Sequence, residues 1–297
     1  MLKRTLYFSN PYHLNTENKQ LIITNKTNGE VKQTPIEDIG FIIFEHPHIT
    51  FTQSVMQFLT ENNTAVVFCD DKHLPSSLLL NLESNHLQNE IFAFQIAATE
   101  PLKKQLWKQT IESKIKNQAT LLKKYKKEYK FLIALSQDVK SGDTTNREAV
   151  AAKYYWKNLF DIPDFFRDRY GFPPNNLLNY GYAILRAAVA RSLTGSGLLP
   201  TLGIHHHNRY NAYCLADDIM EAYRPWVDEI VLAQCVNNEA PDDLTKELKA
   251  ELLGVLSCDT KFEKVTRPLM VGLSITTASL AKCYEGEIRK IEYPEFE

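Results

Sequence analysis

The chain has 297 residues, 44% of them apolar and 24% charged, and its formal net charge is -2. This size and composition exclude a largely disordered protein and leave room for two domains with buried cores. The five cysteines form no Cys-x-x-Cys pair, which excludes a patterned zinc site or a disulfide framework. The N-terminus lacks an apolar signal segment, and the sequence lacks an apolar run of the roughly 18 residues that span a membrane. We therefore expect a cytoplasmic protein that does not cross a membrane.

Short runs of β-branched and aromatic residues fill the N-terminal part, and turn signals such as Asn28-Gly29 separate them. These runs cover residues 5–8, 21–24, 41–44 and 65–69. A segment with helical apolar spacing, residues 52–62, lies between the last two. We predict a small β-sandwich-like domain over residues 1–80 with one helix against it, followed by a linker over residues 81–100.

After the linker the apolar spacing becomes helical, and prolines and a Gly-Ser-Gly segment separate the runs. The predicted helices cover residues 101–135, 146–160, 177–193, 215–237, 242–253 and 266–284. Pro225 is expected to kink or restart the fourth of these helices. We predict a larger all-α domain over residues 101–297, and the α+β class for the whole chain.

The first predicted helix is strongly basic. Between Pro101 and Lys130 the sequence has ten lysines against two glutamates, which gives this segment a net charge of +8 in a slightly acidic chain. Such a surface is either a solvated helix face or a track for nucleic-acid phosphates. The lysines that we consider for DNA binding are Lys103, Lys104, Lys108, Lys123, Lys124 and Lys127.

Glu148 has two interpretations. Thr145 and Glu148 have the spacing of a capping box, in which Glu148 would accept a hydrogen bond from the amide that begins its helix. Glu148 also lies on an apolar helix stripe with Tyr155 and Leu159, where a carboxylate needs a cation or hydrogen bonds to compensate its burial. Capping and function both stay open for this residue.

Three consecutive histidines, His205, His206 and His207, follow Gly203. Consecutive side chains diverge on any regular backbone, so the three cannot form one zinc cage. One histidine as a metal ligand or proton carrier is the functional alternative to a purely structural role.

Asp218 and Glu221 stand three residues apart on a predicted helix and therefore share a face. Two neighbouring carboxylates repel unless a cation compensates them, and hard ions such as Mg²⁺ and Mn²⁺ prefer oxygen ligands. The alternative is an acidic first turn that favours the helix dipole, with Glu221 paired to Arg224.

Four ordered segments carry a family resemblance: residues 146–156 (NREAVAAKYYW), 176–182 (NLLNYGY), 203–206 (GIHH) and 218–228 (DIMEAYRPWVD). In this order they resemble the universal CRISPR-associated integrase, the first Cas protein, and most of all the form that accompanies type II systems. The resemblance covers essentially the whole chain.

The resemblance implies a DNA integrase and endonuclease that inserts short duplexes into a CRISPR repeat array by transesterification. It implies that Glu148, His206 and Glu221 are the catalytic metal ligands for Mg²⁺ or Mn²⁺. Asp218 and His205 are possible supporting residues beside these ligands. It also implies an N-terminal domain that forms a homodimer, double-stranded DNA as substrate, and a second, small dimeric Cas protein that bridges two integrase dimers.

Two rival functions belong to other classes. A non-catalytic nucleic-acid-binding module would use the lysines and leave the carboxylates as structural caps. A zinc hydrolase would use the three histidines, but the sequence has no His-Glu-x-x-His arrangement.

Overall fold

The computed structural model describes residues 3–81, 83–235 and 239–297. The chain separates into two compact units, Met1–His86 and Leu87–Glu297. The first unit is rich in strands and the second is mainly helical, so the prediction of the α+β class is confirmed.

The first unit contains two four-stranded sheets. Its strands are β1 (Arg4–Phe8), β2 (Tyr12–Glu17), β3 (Gln20–Asn25), β4 (Val31–Pro35), β5 (Ile39–Phe44), β6 (Thr50–Phe51), β7 (Ala65–Cys69) and β8 (Pro75–Leu79). In one sheet β1, β5 and β7 are parallel and β8 pairs antiparallel with β7. In the other, β2, β3 and β4 are antiparallel neighbours, and β6 pairs parallel with β2.

One apolar core joins both sheets to helix α1 (Gln53–Glu61). Leu14 from β2, Ile42 from β5 and Val55 from α1 are fully buried in it. The four predicted runs correspond to β1, β3, β5 and β7. The other strands are mostly polar and lie in partly exposed positions, as the β4 sequence VKQTP shows, so they carry little apolar alternation.

The second unit contains nine α-helices within its described residues: α2 (Gln88–Ala97), α3 (Glu100–Lys124), α4 (Lys130–Gln137), α5 (Arg147–Leu159), α6 (Asn175–Gly195), α7 (Cys214–Met220), α8 (Arg224–Gln234), α9 (Lys246–Leu253) and α10 (Leu269–Glu285). Helices α3 and α6 form its centre, since α3 packs against α4, α5 and α8, and α6 against α7, α8, α9 and α10. None of the described helices is long and apolar enough to cross a membrane.

The predicted helix over residues 101–135 is two helices. Lys126 adopts a left-handed backbone conformation with φ of 57°, which an α-helix cannot accommodate. Helix α3 therefore ends at Lys124 and α4 begins at Lys130. The apolar side chains continue across this break, which is why the spacing alone predicts one helix.

The segment predicted as a linker, residues 81–100, contains helix α2, which packs against α10. The side-chain amide of Gln95 donates hydrogen bonds to the carbonyls of Leu199 and Leu202, both at 3.1 Å. These contacts place most of the segment within the helical unit rather than between the two units.

The second unit is mainly helical, but it also contains a short antiparallel ribbon, whereas the sequence predicted an all-α domain. This ribbon consists of β9 (Asp259–Lys261) and β10 (Thr266–Pro268). The predicted helix 266–284 therefore begins later, at Leu269.

The predicted helix 215–237 is interrupted as Pro225 suggests. A turn of 3-10 helix, Glu221–Tyr223, separates α7 from α8, and Pro225 lies in the first turn of α8, where its missing N–H leaves no hydrogen bond broken. The predicted end at Asn237 lies outside the described residues. This interruption matters because Asp218 falls before it and Glu221 falls within it.

Candidate active site

Helix α5 brings Glu148 to the site without using it as a cap. The carboxylate of Asp143 accepts hydrogen bonds from the backbone N–H groups of Arg147 at 2.8 Å and Glu148 at 2.9 Å. The N-cap residue Asn146 is left-handed, and its side chain makes no capping bond. The capping-box interpretation of Glu148 is therefore wrong, because the N-cap residue is Asn146 rather than Thr145, and its backbone N–H donates to the carbonyl of Asp143 at 2.8 Å.

The side chain of Glu148 instead meets a buried lysine. Lys114 Nζ lies 2.6 Å from Glu148 Oε1 and 2.7 Å from Glu221 Oε2. Lys114 is only 6% exposed, and it lies on the face of α3 that packs into the helical unit. The Lys114 ammonium thus joins two carboxylates that are 73 residues apart in the sequence.

Glu221 is buried between two positive charges. Its Oε1 lies 2.6 Å from Arg224 and its Oε2 lies 2.7 Å from Lys114. Burial alone would raise the pKa of Glu221, but Arg224 and Lys114 outweigh this effect and lower the pKa to about 2. Glu221 is consequently a carboxylate, not a carboxylic acid, at any physiological pH.

The same two carboxylates raise the pKa of Lys114 above its ordinary value, although burial acts in the opposite direction. Glu221 Oε2 accepts no well-aligned hydrogen bond within the described part of the chain, despite its ion pair with Lys114. A buried oxygen held only by charge is suited to a cation.

His206 is fixed by Asp218. Asp218 is fully buried, and its Oδ1 lies 2.5 Å from His206 Nδ1. Its Oδ2 accepts hydrogen bonds from the backbone N–H groups of Ile204 at 2.6 Å and His205 at 2.9 Å. One carboxylate therefore holds both the imidazole and the loop that presents it.

The other histidines face elsewhere. His205 stacks on Trp107, with ring centroids 4.2 Å apart and planes within 4°, whereas Trp107 presents its ring to His206 edge-on. His207 is exposed. Because the three rings diverge, the zinc-hydrolase alternative loses its ligand set.

Gly203 allows this loop to approach helix α7 closely. A Cβ atom at Gly203 would lie 2.3 Å from the carbonyl oxygen of His206 and 3.0 Å from Asp218 Oδ2. Only a residue without a side chain fits there.

A second polar cluster lies at Asp228, which ends the family motif 218–228 but received no role from the sequence. Tyr155 from α5 donates a hydrogen bond to Asp228 Oδ2 at 2.7 Å, and Tyr182 from α6 donates one to Asp228 Oδ1. Burial raises the pKa of Asp228 to about 6, although both hydroxyl groups lower it. This cluster ties α5, which carries Glu148, to α8, which begins at Arg224.

The carboxylates fit a hard divalent ion in part. Glu148 and Glu221 converge on one cationic point, and the ammonium of Lys114 is a cation already in that place. Within residues 3–81, 83–235 and 239–297, however, no three His, Cys, Asp or Glu side chains stand close enough to share an ion. Asp218 turns to His206 rather than to Glu221, so these two carboxylates do not share a cation.

A cavity of about 380 Å³ lies beside His206. Lys103 and Arg209 line it, together with Gly203 and Tyr284. The imidazole therefore borders a basic, open recess rather than closed protein interior.

A family model described as CRISPR associated protein Cas1 matches residues 6–260. The CRISPR-associated endonuclease Cas1 of Neisseria meningitidis serogroup C (strain 8013) is 37% identical over 266 residues, which cover 89% of this chain and 86% of that protein. The chain belongs to the Cas1 family. The expected resemblance is confirmed, and with it the prediction of a DNA endonuclease and integrase of CRISPR adaptation.

Two solved structures share the fold of this Cas1-family chain. A casposase bound to integration product matches with a TM-score of 0.78 and 20% identity, covering 100% of this chain and 95% of that one. A chain of a Cas6-RT-Cas1–Cas2 complex matches with a TM-score of 0.71 and 21% identity, covering 97% of this chain and 35% of that one.

The lysines considered for DNA binding divide into two groups in this Cas1-family member. Four of them have acidic partners: Lys103 with Glu100, Lys108 with Glu112, Lys124 with Glu229 and Lys127 with Asp161. Lys104 and Lys123 are exposed, and Lys123 lies over the Tyr129 ring. Lys114, counted with this basic segment from the sequence, is part of the carboxylate site instead.

Proposed function

We propose that this member of the Cas1 family breaks and joins DNA at a site formed by Glu148, Glu221 and His206, with Mg²⁺ or Mn²⁺ bound. The convergence of Glu148 and Glu221, from α5 and the turn after α7, on one buried cationic point carries this proposal. Glu221 is buried and Glu148 is partly buried, and two such neighbouring carboxylates need a compensating cation.

Glu148 and Glu221 would hold the ion, and His206 would have to move toward them to join through Nε2, since Asp218 occupies its Nδ1 and the three side chains do not stand close enough to share an ion in this structure. A carboxylate behind a ligand histidine is a common arrangement, because it fixes the ring and its tautomer. When bound, the divalent ion neutralises charge on the phosphate and makes a hydroxyl group or water more acidic. Asp218 is thereby a positioning residue.

In the joining reaction, the 3′-hydroxyl oxygen of the incoming duplex forms a bond to a backbone phosphorus, and the bond from that phosphorus to the 3′ oxygen of the target strand breaks. Proton transfer is the alternative role of His206: with Nε2 free of the ion, the imidazole would accept the proton of the attacking hydroxyl group and return it to the leaving oxygen. With water in place of the hydroxyl group, the same residues would cleave the strand. Endonuclease and integrase activity thus follow from one site.

The substrate proposed for this site is double-stranded DNA, inserted into a CRISPR repeat array. Lys104 and Lys123 are the strongest candidates for contacts to its phosphates, because the other candidate lysines already face carboxylates. We place this activity in the cytoplasm, where the repeat array lies.

We further propose that two copies pair through the first unit to form a homodimer, and that a small dimeric second Cas protein bridges two such dimers. The Cas6-RT-Cas1–Cas2 complex, which contains a chain of the same fold, supports the association with a second Cas protein. Size-exclusion chromatography with light scattering tests both steps.

The decisive experiment measures joining of a fluorescent duplex into a supercoiled repeat plasmid with Mg²⁺, Mn²⁺ or a chelator. Glu148→Ala and Glu221→Ala are expected to abolish joining while DNA binding largely survives, whereas Glu112→Ala, on the same basic helix but outside the site, retains both. Joining that survives in a chelator, or in either site variant, would refute the proposal.

A further inference from the structure

The Lys114 ammonium occupies the middle of the carboxylate pair. Its Nζ is within 2.7 Å of an oxygen of both Glu148 and Glu221, and the side chain is 6% exposed. Few lysines are buried in proteins unless they are paired, so this one belongs to the site and not to the DNA-facing surface of α3.

The position of Lys114 follows from the helix that carries it. Lys114 lies seven residues, or about two turns, after Trp107, so both side chains project from one face of α3. Trp107 contacts the histidine loop through His205, and Lys114 contacts the two carboxylates. One face of α3 therefore contacts both parts of the site, the histidine loop and the carboxylate pair.

The charges at this point are already balanced. Lys114 and Arg224 carry two positive charges, and Glu148 and Glu221 carry two negative charges. A divalent ion added beside all four groups would leave two uncompensated positive charges in a buried region, which is strongly unfavourable.

The ammonium of Lys114 also occupies the position between the two carboxylates. Divalent ions such as Mg²⁺ bind carboxylate oxygens at about 2.1 Å. An ion between the same two oxygens would overlap an ammonium nitrogen that lies 2.6 and 2.7 Å from them. The ion and Lys114 Nζ are thus alternatives.

We infer that Lys114 is an internal counter-cation, which holds Glu148 and Glu221 together in the metal-free protein and leaves its place when a divalent ion binds. This inference rests on the proposed metal site. Lys114 acts as a positioning residue that keeps the ligands converged, and it also lowers the affinity for metal, because the ion must displace it. Its flexible four-carbon stem permits that movement while α3 stays in place.

The first test compares Lys114→Met with Lys116→Met in the full-length protein. Both variants remove one lysine charge from α3, but Lys116 is exposed and lies off the carboxylate pair. In a chelator, Lys114→Met should lower the melting temperature by several degrees, because the buried Glu221 and the partly buried Glu148 lose a shared counter-ion. Mn²⁺ should bind Lys114→Met about tenfold more tightly, the scale at which groups around metal ligands change affinity. Lys116→Met should match the wild type in both respects.

Calorimetry and electron paramagnetic resonance of Mn²⁺ measure that affinity without any reference to DNA joining. Unchanged or weaker Mn²⁺ binding by folded Lys114→Met would overturn the inference. If wild-type protein binds no Mn²⁺, or if Glu148→Gln and Glu221→Gln bind it equally well, the metal site itself fails and the inference fails with it.

A second measurement needs no variant, and it decides the question if Lys114→Met does not fold. Wild-type protein is acetylated in a chelator and in saturating Mn²⁺, and mass spectrometry follows each lysine. Lys114 should react faster with Mn²⁺ bound, as a buried amine that has been released, while Lys116 reacts at one rate in both conditions. Equal protection of Lys114 with and without Mn²⁺ would show that no displacement occurs.

Discussion

Asp218 and His206 meet twice: Asp218 Oδ1 lies 2.5 Å from the imidazole Nδ1 and 3.3 Å from the backbone nitrogen of His206. The hydrogen bond to Asp218 raises the pKa of His206, although partial burial acts against it. The carboxylate therefore fixes the ring, its loop and its protonation together.

Asp218→Asn should therefore lower DNA joining by roughly 10- to 100-fold, the effect of removing a group that orients a metal-binding histidine. The pKa of His206, followed by NMR, should fall in the variant, because its largest favourable contribution is lost. Asp217→Asn is the matched comparison: Asp217 faces Arg186 at 2.9 Å and raises the pKa of His206 less than Asp218 does, so the fall should be smaller. A pKa of His206 that does not move would contradict the positioning role.

The three histidines should differ sharply when each is replaced by alanine. His206→Ala should abolish joining, because it removes the imidazole that is proposed to bind the metal ion or to transfer the proton. His205→Ala should mainly destabilise the fold, by about 0.5–1.5 kcal/mol, because it loses the stack on Trp107. His207→Ala should be close to wild type in both joining assays and thermal melts, because that side chain is exposed. A greater loss of joining in His207→Ala than in His206→Ala would reverse the assignment.

The sequence predicted the strands and helices whose apolar periodicity is strong, such as β5 and α6. Apolar periodicity carries no information about a helix break that depends on one backbone angle, which is why the sequence did not predict the break at the left-handed Lys126. Polar strands such as β4 were missed for a related reason, because their stability comes from pairing with β3 rather than from alternation.

The order of the family motifs predicted the site residues Glu148, His206 and Glu221, but it did not predict the residues that contact them. Lys114 was counted with a basic surface, although it occupies the same helix face as Trp107 and Ile111. That helical position was an available signal, because a lysine in the middle of an apolar face must have a buried anion. Asp143, whose carboxylate accepts the first amides of α5, had no such signal, since it lies three residues before the N-cap residue Asn146.

Asp228 should make the stability of the protein depend on pH. Its pKa is about 6 in the folded state, above the roughly 3.9 of an unfolded chain, so the folded state binds an extra proton between these values. Stability from this group is greatest below pH 4 and is lost as pH rises through about 6. Asp228→Asn has no carboxyl group to titrate at this position, so its stability lacks this pH dependence. The free energy of unfolding of the wild type, relative to that of the variant, should therefore fall by on the order of 2 kcal/mol between pH 4 and pH 7.

Urea unfolding of both proteins at a series of pH values measures this difference, and titrations shared by the two proteins cancel. Asp161→Asn, at an exposed position, serves as the control for the loss of a carboxylate at the surface. Parallel profiles for wild type and Asp228→Asn would mean that burial does not raise this pKa.

The salt dependence of DNA binding should separate the lysines of the basic segment. Each phosphate contact contributes a slope of about 0.9 to the dependence of log affinity on log salt concentration. Lys104→Gln and Lys123→Gln should each lower the slope by roughly that amount if the side chain contacts a phosphate. Lys124→Gln should change it less, because Lys124 already pairs with Glu229 at 2.7 Å. Equal slopes for all three variants and the wild type would remove α3 from the DNA path.

Gly203 offers the sharpest test of how closely the histidine loop must approach helix α7. In Gly203→Ala the new Cβ would lie 2.3 Å from the His206 carbonyl oxygen, which is backbone and cannot rotate away. The loop must then shift and carry the imidazole away from Asp218, so we expect a lower melting temperature and loss of joining. Gly254→Ala is the control, because no described atom lies within 4 Å of the added carbon, and it should leave stability and joining unchanged. Since neither glycine has a side chain to take part in chemistry, full joining by Gly203→Ala would show that the position of His206 is not critical.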